Sequence, residues 1–382
     1  MRMKKILFVS HTFMGGPFVV GSHHLARAFS ELGHKVIHLS TPVTPIHHLK
    51  KDHITKMKIA RSNEINQINE NLIDYIPFSI GLPWSMMRPI YNNSKINFSV
   101  LFLKSNIQKV IKSFFDTLEI DYLIIDQPTM VGIENLVTAK KVIYRATDLY
   151  AEMMNDTSIL NAEKNIIKKV DGLIGTSKPV LNHITAMNEE LPSLLVENGV
   201  NFKHFSEERE MPHLYQNFIG KRAIYAGAID ERLDLNAIID LAKSNPDVHT
   251  IVIGPLNDET IKEQYKNINN LHFLGSVDYN DLPAYLQHAD VALLPLSNHK
   301  ANNGRSPMKL YEYLAAGLPV VTKKTDELVN RDEKNIYFYD DINKTVREVI
   351  SLNLQKNDVK ENIGKYGWEH KAKLVYEFAE NL

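Results

Sequence analysis

The sequence predicts an α/β protein built as two doubly wound parallel sheets in one chain. Three observations carry that prediction. Short apolar strand patterns alternate with helix patterns along most of the chain, which is the signature of parallel βαβ units. The alternation stops in a polar, aperiodic stretch at residues 203–220 and then restarts. The length of 382 residues exceeds one ordinary core and suits two domains of about 150–200 residues.

In the first half, strands are expected at residues 5–10, 35–40, 122–126, 141–145, 172–176 and 194–197. A Gly-containing loop at 11–21, with Gly15, Gly16 and Gly21, separates the first strand from a helix at 22–32 that stops at Gly33. Strand, glycine loop, helix, strand is the opening of a doubly wound sheet. The glycines lack G-x-G-x-x-G spacing and no acidic residue ends the second strand, so a dinucleotide site is weakly supported. Residues 41–98 show no clean periodicity and read as a long irregular, functional segment. A helix pattern follows at 99–118. A helix is expected after Ala146-Thr147-Asp148, Ser177-Lys178-Pro179 starts another, and Asn198-Gly199-Val200 closes the half.

In the second half, strands are expected at 222–226, 249–253, 271–274, 291–294, 320–322 and 336–339. Helices are expected at 235–244, 260–267, 281–288, 308–316 and 343–352, with a final one at 368–382. The expected organisation is a domain at 1–205, a second at 206–360, and a C-terminal helix within 361–382.

Composition narrows the function classes. The chain is 44% hydrophobic and 23% charged with net charge -1, so no basic field argues for nucleic acid. It has no cysteine, which excludes disulfides and Cys-ligated clusters and fits a reducing compartment. The basic start MRMKKILFVS reads as a first strand rather than a leader. No run of about 20 apolar residues is present, so no spanning helix is expected.

The most informative stretch is SNHKANNGRSPMKLYEYLAAGLPVVT, residues 297–322. Ser306 suits an N-cap, Pro307 the first helical position, and Gly317 the stop. A helix start fed by Arg305 and carrying Lys309 in its first turn is an anion site, and a diphosphate fits it. Glu312 lies three residues after Lys309 on one helix face. It suits two ribose hydroxyls or an ion pair with Lys309. Met308 reads as core on residue type alone. Gly227 and the Gly254-Pro255 turn follow strands at the carboxyl edge, where backbone approaches ligands in such sheets. Gly227 reads equally as an ordinary turn glycine.

Asp148 follows a strand that ends in Arg145. It suits a general base for an acceptor hydroxyl, and equally an N-cap. His23 and His24 diverge by about 100° on a helix and do not share a metal. The 16 histidines show no metal-ligand spacing, and G-x-S-x-G and P-loop motifs are absent. Trp84 to Tyr91, with Arg88 and the basic residues near 50–61, suits a bilayer interface or a segment folded onto its own core.

Taken together, VGSHHLARAFSELGHKVIHLSTP, VIYRATDLY, VENGVNFKHF, IYAGAIDERLDL and SPMKLYEYLAAGLPVV resemble the nucleotide-sugar glycosyltransferases of the GT-B fold over essentially the whole chain. Within these, the chain is most similar to the glucuronosyltransferases of xanthan-type polysaccharide assembly and the teichuronic-acid enzymes. The resemblance implies two Rossmann-like domains facing across a cleft, the final helix crossing back to the first. It implies a UDP-sugar donor in the second domain, held through Gly227, Pro255, Arg305, Met308, Lys309 and Glu312. It implies an acceptor, lipid-linked or oligosaccharide, in the first domain, with Gly16 and His23 in its loop region. Asp148 matches the proposed base of inverting relatives. Retaining relatives carry two glutamates eight positions apart; here the second is Glu312 and the first position is Gly304, which favours inversion.

No cofactor or metal is expected, the leaving diphosphate being met by Lys309, Arg305 and the helix end. The expected enzyme is cytoplasmic, peripheral on the inner membrane, and transfers a sugar, with glucuronate the candidate, during surface polysaccharide synthesis. Its alternatives are a retaining transferase, a UDP-sugar 2-epimerase of the same fold, and a non-catalytic sugar-nucleotide-binding scaffold. Product anomer, epimerisation without acceptor, and UDP binding without turnover respectively separate them.

Overall fold

A computed structural model describes residues 2–16, 19–256, 260–331 and 333–382. Residues 17 and 18 of the expected first glycine loop lie outside the described residues. The chain divides into two compact units. One is Met1–Asn198 with Gly304–Ser306 and Trp368–Leu382; the other is Gly199–Asn303 with Pro307–Gly367.

The first unit holds an eight-stranded sheet. Its strands are β1 (Lys5–Ser10), β2 (Lys35–Ser40), β3 (Ile65–Asn69), β4 (Leu72–Tyr75), β5 (Glu119–Ile125), β6 (Thr138–Ala146), β7 (Gly172–Gly175) and β8 (Ser193–Leu195). The spatial order is β3-β4-β2-β1-β5-β6-β7-β8, parallel throughout except for β3 against β4. The strand order reverses between β1 and β5, so the chain departs in opposite directions from their carboxyl ends. That switch point is where doubly wound sheets bind ligands. Both faces of the strands are covered, which is why their centres read as continuous apolar runs.

The segment expected to be irregular, 41–98, instead adds a β-hairpin to this sheet. All four residues of β4 are buried, including Asp74, whose carboxylate lies 2.7 Å from His38 Nδ1 on β2. An acidic residue inside a buried strand breaks the apolar run that marks one in sequence. β3 (INQIN) is a polar edge strand with alternating exposure, which suits an edge and hides it from hydropathy. The Trp84–Tyr91 cluster is also regular. It lies in the helix Trp84–Ser94, which buries Met87 and Tyr91 while Met86 and Ile90 stay exposed. Trp84 Nε1 donates to Asp156 at 3.0 Å.

The final helix, Trp368–Asn381, packs on the helix Gly21–Glu31 within the first unit. His24 stacks on Trp368, and Lys4 Nζ reaches Glu380 at 2.6 Å. His34 stacks on Tyr376, and the Tyr122 hydroxyl donates to Glu380.

The second unit holds a six-stranded, fully parallel sheet. Its strands are β9 (Lys221–Ala226), β10 (Val248–Ile253), β11 (Leu271–Gly275), β12 (Val291–Leu294), β13 (Val320–Thr322) and β14 (Ile336–Phe338). The order β11-β10-β9-β12-β13-β14 is that of a Rossmann sheet, with its switch point between β9 and β12. The helix Met308–Ala315 buries Leu310, Tyr311, Tyr313 and Leu314. The Tyr313 hydroxyl accepts the Ala226 N–H at 2.8 Å and lies 3.1 Å from the Ala226 carbonyl, which fastens the helix to the end of β9.

The start of that helix differs from expectation. Ser306 does not cap it; Pro307 occupies the cap position without a side-chain bond. The Ser306 hydroxyl instead accepts the Asn198 N–H at 3.1 Å, while Asn198 Nδ2 donates to the Ser306 carbonyl at 2.9 Å. The stop follows the expected chemistry. Gly317 has φ +83°, its N–H reaches Leu314 O at 3.0 Å, and Leu318 N–H reaches Tyr313 O at 2.9 Å, a Schellman motif.

Replacing Gly317 with alanine forces a left-handed φ on a side chain and sets its Cβ 2.7 Å from Lys356 Cβ. The expected cost is about 1–2 kcal/mol, read as a thermal midpoint lower by a few degrees. An unchanged midpoint contradicts this assignment of the helix stop.

Candidate functional site

The residues expected to hold a donor divide between the two units. Gly227, Pro255, Met308, Lys309 and Glu312 lie in the second; Arg305 lies in the first, within the short segment Gly304–Ser306.

In the second unit, Gly227 directly follows β9 at the switch point. Its N–H bonds Ile253 O at 2.8 Å, and the Pro255 carbonyl accepts the Ile229 N–H at 3.1 Å, so the turns after β9 and β10 are tied together. A Cβ on Gly227 would collide with Lys309 Cε and lie 2.7 Å from its Nζ. The lysine side chain therefore runs across the bare backbone of this glycine. Lys309 and Met308, both half-buried, form the first turn of the helix, where free N–H groups and the dipole favour anions. Burial pushes the Glu312 carboxyl above its ordinary range, and the Lys309 charge pulls it back. A carboxyl in this setting is well suited to accept hydrogen bonds from neutral hydroxyls. The structure thus brings Gly227, Lys309 and Glu312 into one neighbourhood at the carboxyl edge of the sheet.

In the first unit, Asp148 sits two residues beyond β6, half-buried. It does not cap the following helix. That helix, Tyr150–Met153, starts from Leu149 without a side-chain cap. Thr147 Oγ1 donates to Asp148 Oδ2 at 3.2 Å and lies 2.6 Å from the Tyr150 hydroxyl. The Tyr150 hydroxyl in turn donates to the Asp126 carbonyl at 2.7 Å.

Beneath this group Arg145 and Asp126 form a fully buried ion pair of 2.5 Å. Burial pushes the Asp126 carboxyl up to about 6 against the pull of Arg145. Arg145 also donates to Asn198 Oδ1 at 3.3 Å. Sequence reading named Asp148 and Arg145 but not the roles of Asp126, Tyr150 and Asn198. The signal available was the T-D-x-Y spacing, which returns Tyr150 to Thr147.

Gly304 is tightly enclosed. A Cβ there would lie 2.9 Å from Leu149 Cγ and 3.1 Å from Val180 Cγ2, and Ser177 Oγ donates to its carbonyl at 2.7 Å.

The expected acceptor-loop residues behave differently. Gly16 turns tightly over Phe13, 3.2 Å from where its Cβ would be, and stays half-exposed. His23 is buried, with its ring edge-on to His38 at 5.0 Å and its Nε2 3.4 Å from Thr12 O. The helix that carries it turns that face into the sheet, so His23 supports the loop from beneath.

Residues 7–174 match the family described as "Glucuronosyltransferase GumK, N-terminal domain". Residues 221–353 match that described as "Glycosyl transferases group 1". The putative teichuronic acid biosynthesis glycosyltransferase TuaH of Bacillus subtilis is 28% identical over 225 residues, 54% of this chain and 56% of that protein. The chitobiosyldiphosphodolichol beta-mannosyltransferase of Candida albicans is 23% identical over 308 residues, 68% of this chain and 66% of that protein. The chain thus spans between about half and two thirds of these relatives' lengths.

Among solved structures, Anabaena HepE in complex with UDP and glucose aligns with a TM-score of 0.67 at 12% identity, covering 99% of this chain and 100% of that one. Sucrose-phosphate synthase of Thermosynechococcus elongatus aligns at 0.65 and 13% identity, covering 99% and 97%. The fold is that of the GT-B glycosyltransferases, and the two halves of the chain resemble glycosyltransferase domains. Within it, the chain resembles the GumK and teichuronic-acid enzymes.

The burial of His23 has a pH consequence. Burial, with His38 adding to it, pulls the ring's pKa from 6.5 to about 2. Between those values only the unfolded chain binds the proton, so the native state loses stability as pH falls below about 6.5, by up to about 1.4 kcal/mol per pH unit. Thermal midpoints of the native protein should fall between pH 7 and pH 5.5, and those of His23→Gln should fall less. Parallel profiles contradict the assignment.

Proposed function

We propose that this chain transfers a sugar, with glucuronate the candidate, from a UDP-sugar to a lipid-linked or oligosaccharide acceptor during bacterial surface polysaccharide synthesis, with inversion at the anomeric carbon. The observation that carries the donor side is Lys309 laid across Gly227 at the switch point of the second sheet, with Glu312 on the same helix. In this reading Lys309 and the helix start meet the diphosphate, Arg305 adds charge, and Glu312 accepts the ribose hydroxyls. Met308 and the Gly227 and Pro255 turns line the nucleotide. Anabaena HepE, structurally alike, is solved with UDP, which supports a uridine donor.

In the reaction, Asp148 takes the proton of the acceptor hydroxyl as its oxygen attacks the anomeric carbon. The bond to the diphosphate breaks and its electron pair leaves with UDP. Inversion is supported by Gly304. The position where a retaining relative would carry a carboxylate is closed by Leu149 and Val180. The developing charge is met by Lys309 and helix N–H groups, so the step needs no metal.

Asp148→Asn should lower transfer by about 10²–10⁴-fold while UDP affinity by calorimetry stays unchanged. Lys309→Ala should weaken UDP by about tenfold or more, the size of a lost charge-assisted contact. Transfer should persist in EDTA. Equal loss of transfer and UDP binding in Asp148→Asn would sink the base assignment, and loss of transfer in EDTA would sink the metal-free step.

Association with the inner face of the cytoplasmic membrane belongs to the same reading. Ile80, Met86, Ile90, Leu101 and Phe102 are exposed at 42–69%, interspersed with Arg88, Lys95 and Lys104 in sequence. Apolar side chains flanked by cations suit an anionic bilayer surface. Among the described residues no helix is long and apolar enough to cross a membrane. The protein should sediment with vesicles containing anionic lipid, and Met86→Asp with Ile90→Asp should reduce that binding several-fold. Equal binding of the double variant contradicts the assigned surface.

A further inference from the structure

The hydroxyls next to Asp148 hold fewer protons than the contacts they make. Three short contacts run in series. Asp148 Oδ2 lies 3.2 Å from Thr147 Oγ1, Thr147 Oγ1 lies 2.6 Å from the Tyr150 oxygen, and the Tyr150 oxygen lies 2.7 Å from the Asp126 carbonyl. The Asp126 carbonyl only accepts. Each hydroxyl carries one proton. With Asp148 ionised, two protons serve three contacts and one is left without hydrogen. With Asp148 protonated at Oδ2, the series closes in one direction. Asp148 donates to Thr147, Thr147 to Tyr150, and Tyr150 to the Asp126 carbonyl.

We propose that Thr147 and Tyr150 are positioning residues that make Asp148 a better proton acceptor, because their hydroxyl series is complete only after Asp148 has taken the proton. The inference rests on Asp148 being the base. Tyr150 does not leave the series by ionising. It is buried, and burial together with the charges of Asp148 and Asp126 holds its phenol well above the ordinary value. The charged groups flanking it at the strand ends, Asp126 and Arg145, are already paired with each other.

In the transfer step the acceptor O–H bond breaks and its proton moves to Asp148 Oδ2. The acceptor oxygen bonds the anomeric carbon, and UDP leaves with the electron pair of the broken bond. The Thr147 hydroxyl then turns from Asp148 to donate to Tyr150, whose own hydrogen bond to the Asp126 carbonyl is kept. No proton is lost, and the one gained returns to water after product release.

The series makes a coupled prediction. In the native protein, protonation of Asp148 gains one contact. Without the Tyr150 hydroxyl, Thr147 has only Asp148 to serve and stabilises the ionised form. Tyr150→Phe should therefore lower the Asp148 pKa. Without the Thr147 hydroxyl, Tyr150 has no route to Asp148, so the same substitution should do nothing.

The test is a carboxyl ¹³C NMR titration of Asp148 in four proteins: native, Tyr150→Phe, Thr147→Val, and the double variant. Asp148→Asn assigns the signal, and Thr147→Ser serves as the conservative control. The expected result is a fall of about half to one pH unit for Tyr150→Phe in the native background and a shift below about 0.2 in the Thr147→Val background, with Thr147→Ser near native. An equal shift in both backgrounds, no shift, or a rise in Tyr150→Phe overturns the proposal. A transfer assay of Asp148→Asn tests the base reading separately. Retained activity there sinks the base, whereas a dead Asp148→Asn with uncoupled titrations sinks only the hydroxyl series.

Discussion

The buried pair between Arg145 and Asp126 is the constraint on which the first unit's functional edge depends. Two opposite charges 2.5 Å apart, both fully enclosed, hold the carboxyl ends of β5 and β6 together. Removing either partner would leave an uncompensated buried charge, a change that typically costs about 3–5 kcal/mol. Arg145 Nη2 donates to Asn198 Oδ1, and Asn198 in turn holds Ser306 by two hydrogen bonds. Asn198 and Ser306 are the residues after which the chain passes into the second unit, and Gly304 and Trp368 are where it returns. Gly21 packs against both Asn198 and Trp368, with no room for a side chain between them.

That arrangement explains a division of labour among charges. In the proposed function the second unit meets an anion with Lys309 and a helix start, the lysine lying over Gly227. The first unit collects proton-accepting groups, with one carboxylate tied up in an ion pair and another, Asp148, served by a hydroxyl shared with Tyr150. Two carboxylates near one arginine, Asp126 bonded to it and Asp148 three residues after it in sequence, thus sit in different surroundings. Asp126 is dry and paired; Asp148 is half-exposed and accepts from Thr147.

Much of this was legible in the sequence because parallel strands are continuous apolar runs. β1, β2, β12 and β13 fall on the expected residues, as does the helix Leu235–Ser244. Gly317 was legible because a helix stop needs a left-handed residue. The hairpin β3–β4 was hidden because its edge strand is polar and its inner strand contains Asp74, whose partner His38 is distant in sequence. Ser306 misled because its residue type fits a cap, yet its hydroxyl serves a backbone N–H 108 residues away. The burial of His23 was hidden because sequence does not say which face of a helix meets the sheet when His23 and His24 lie side by side. The Thr147–Tyr150 series was within reach of local spacing, but the Asp126 carbonyl that completes it comes from another strand.

In the proposed reaction Asp148 acts as a base in a direct displacement, with glycine rather than a second carboxylate at position 304, and the stereochemistry of the product decides it. With an α-linked UDP-sugar donor and membrane lipid extract as acceptor, proton NMR of the isolated product should show the β-anomer. An α-linked product would contradict the account, because retention requires a group other than Asp148 to face the anomeric carbon.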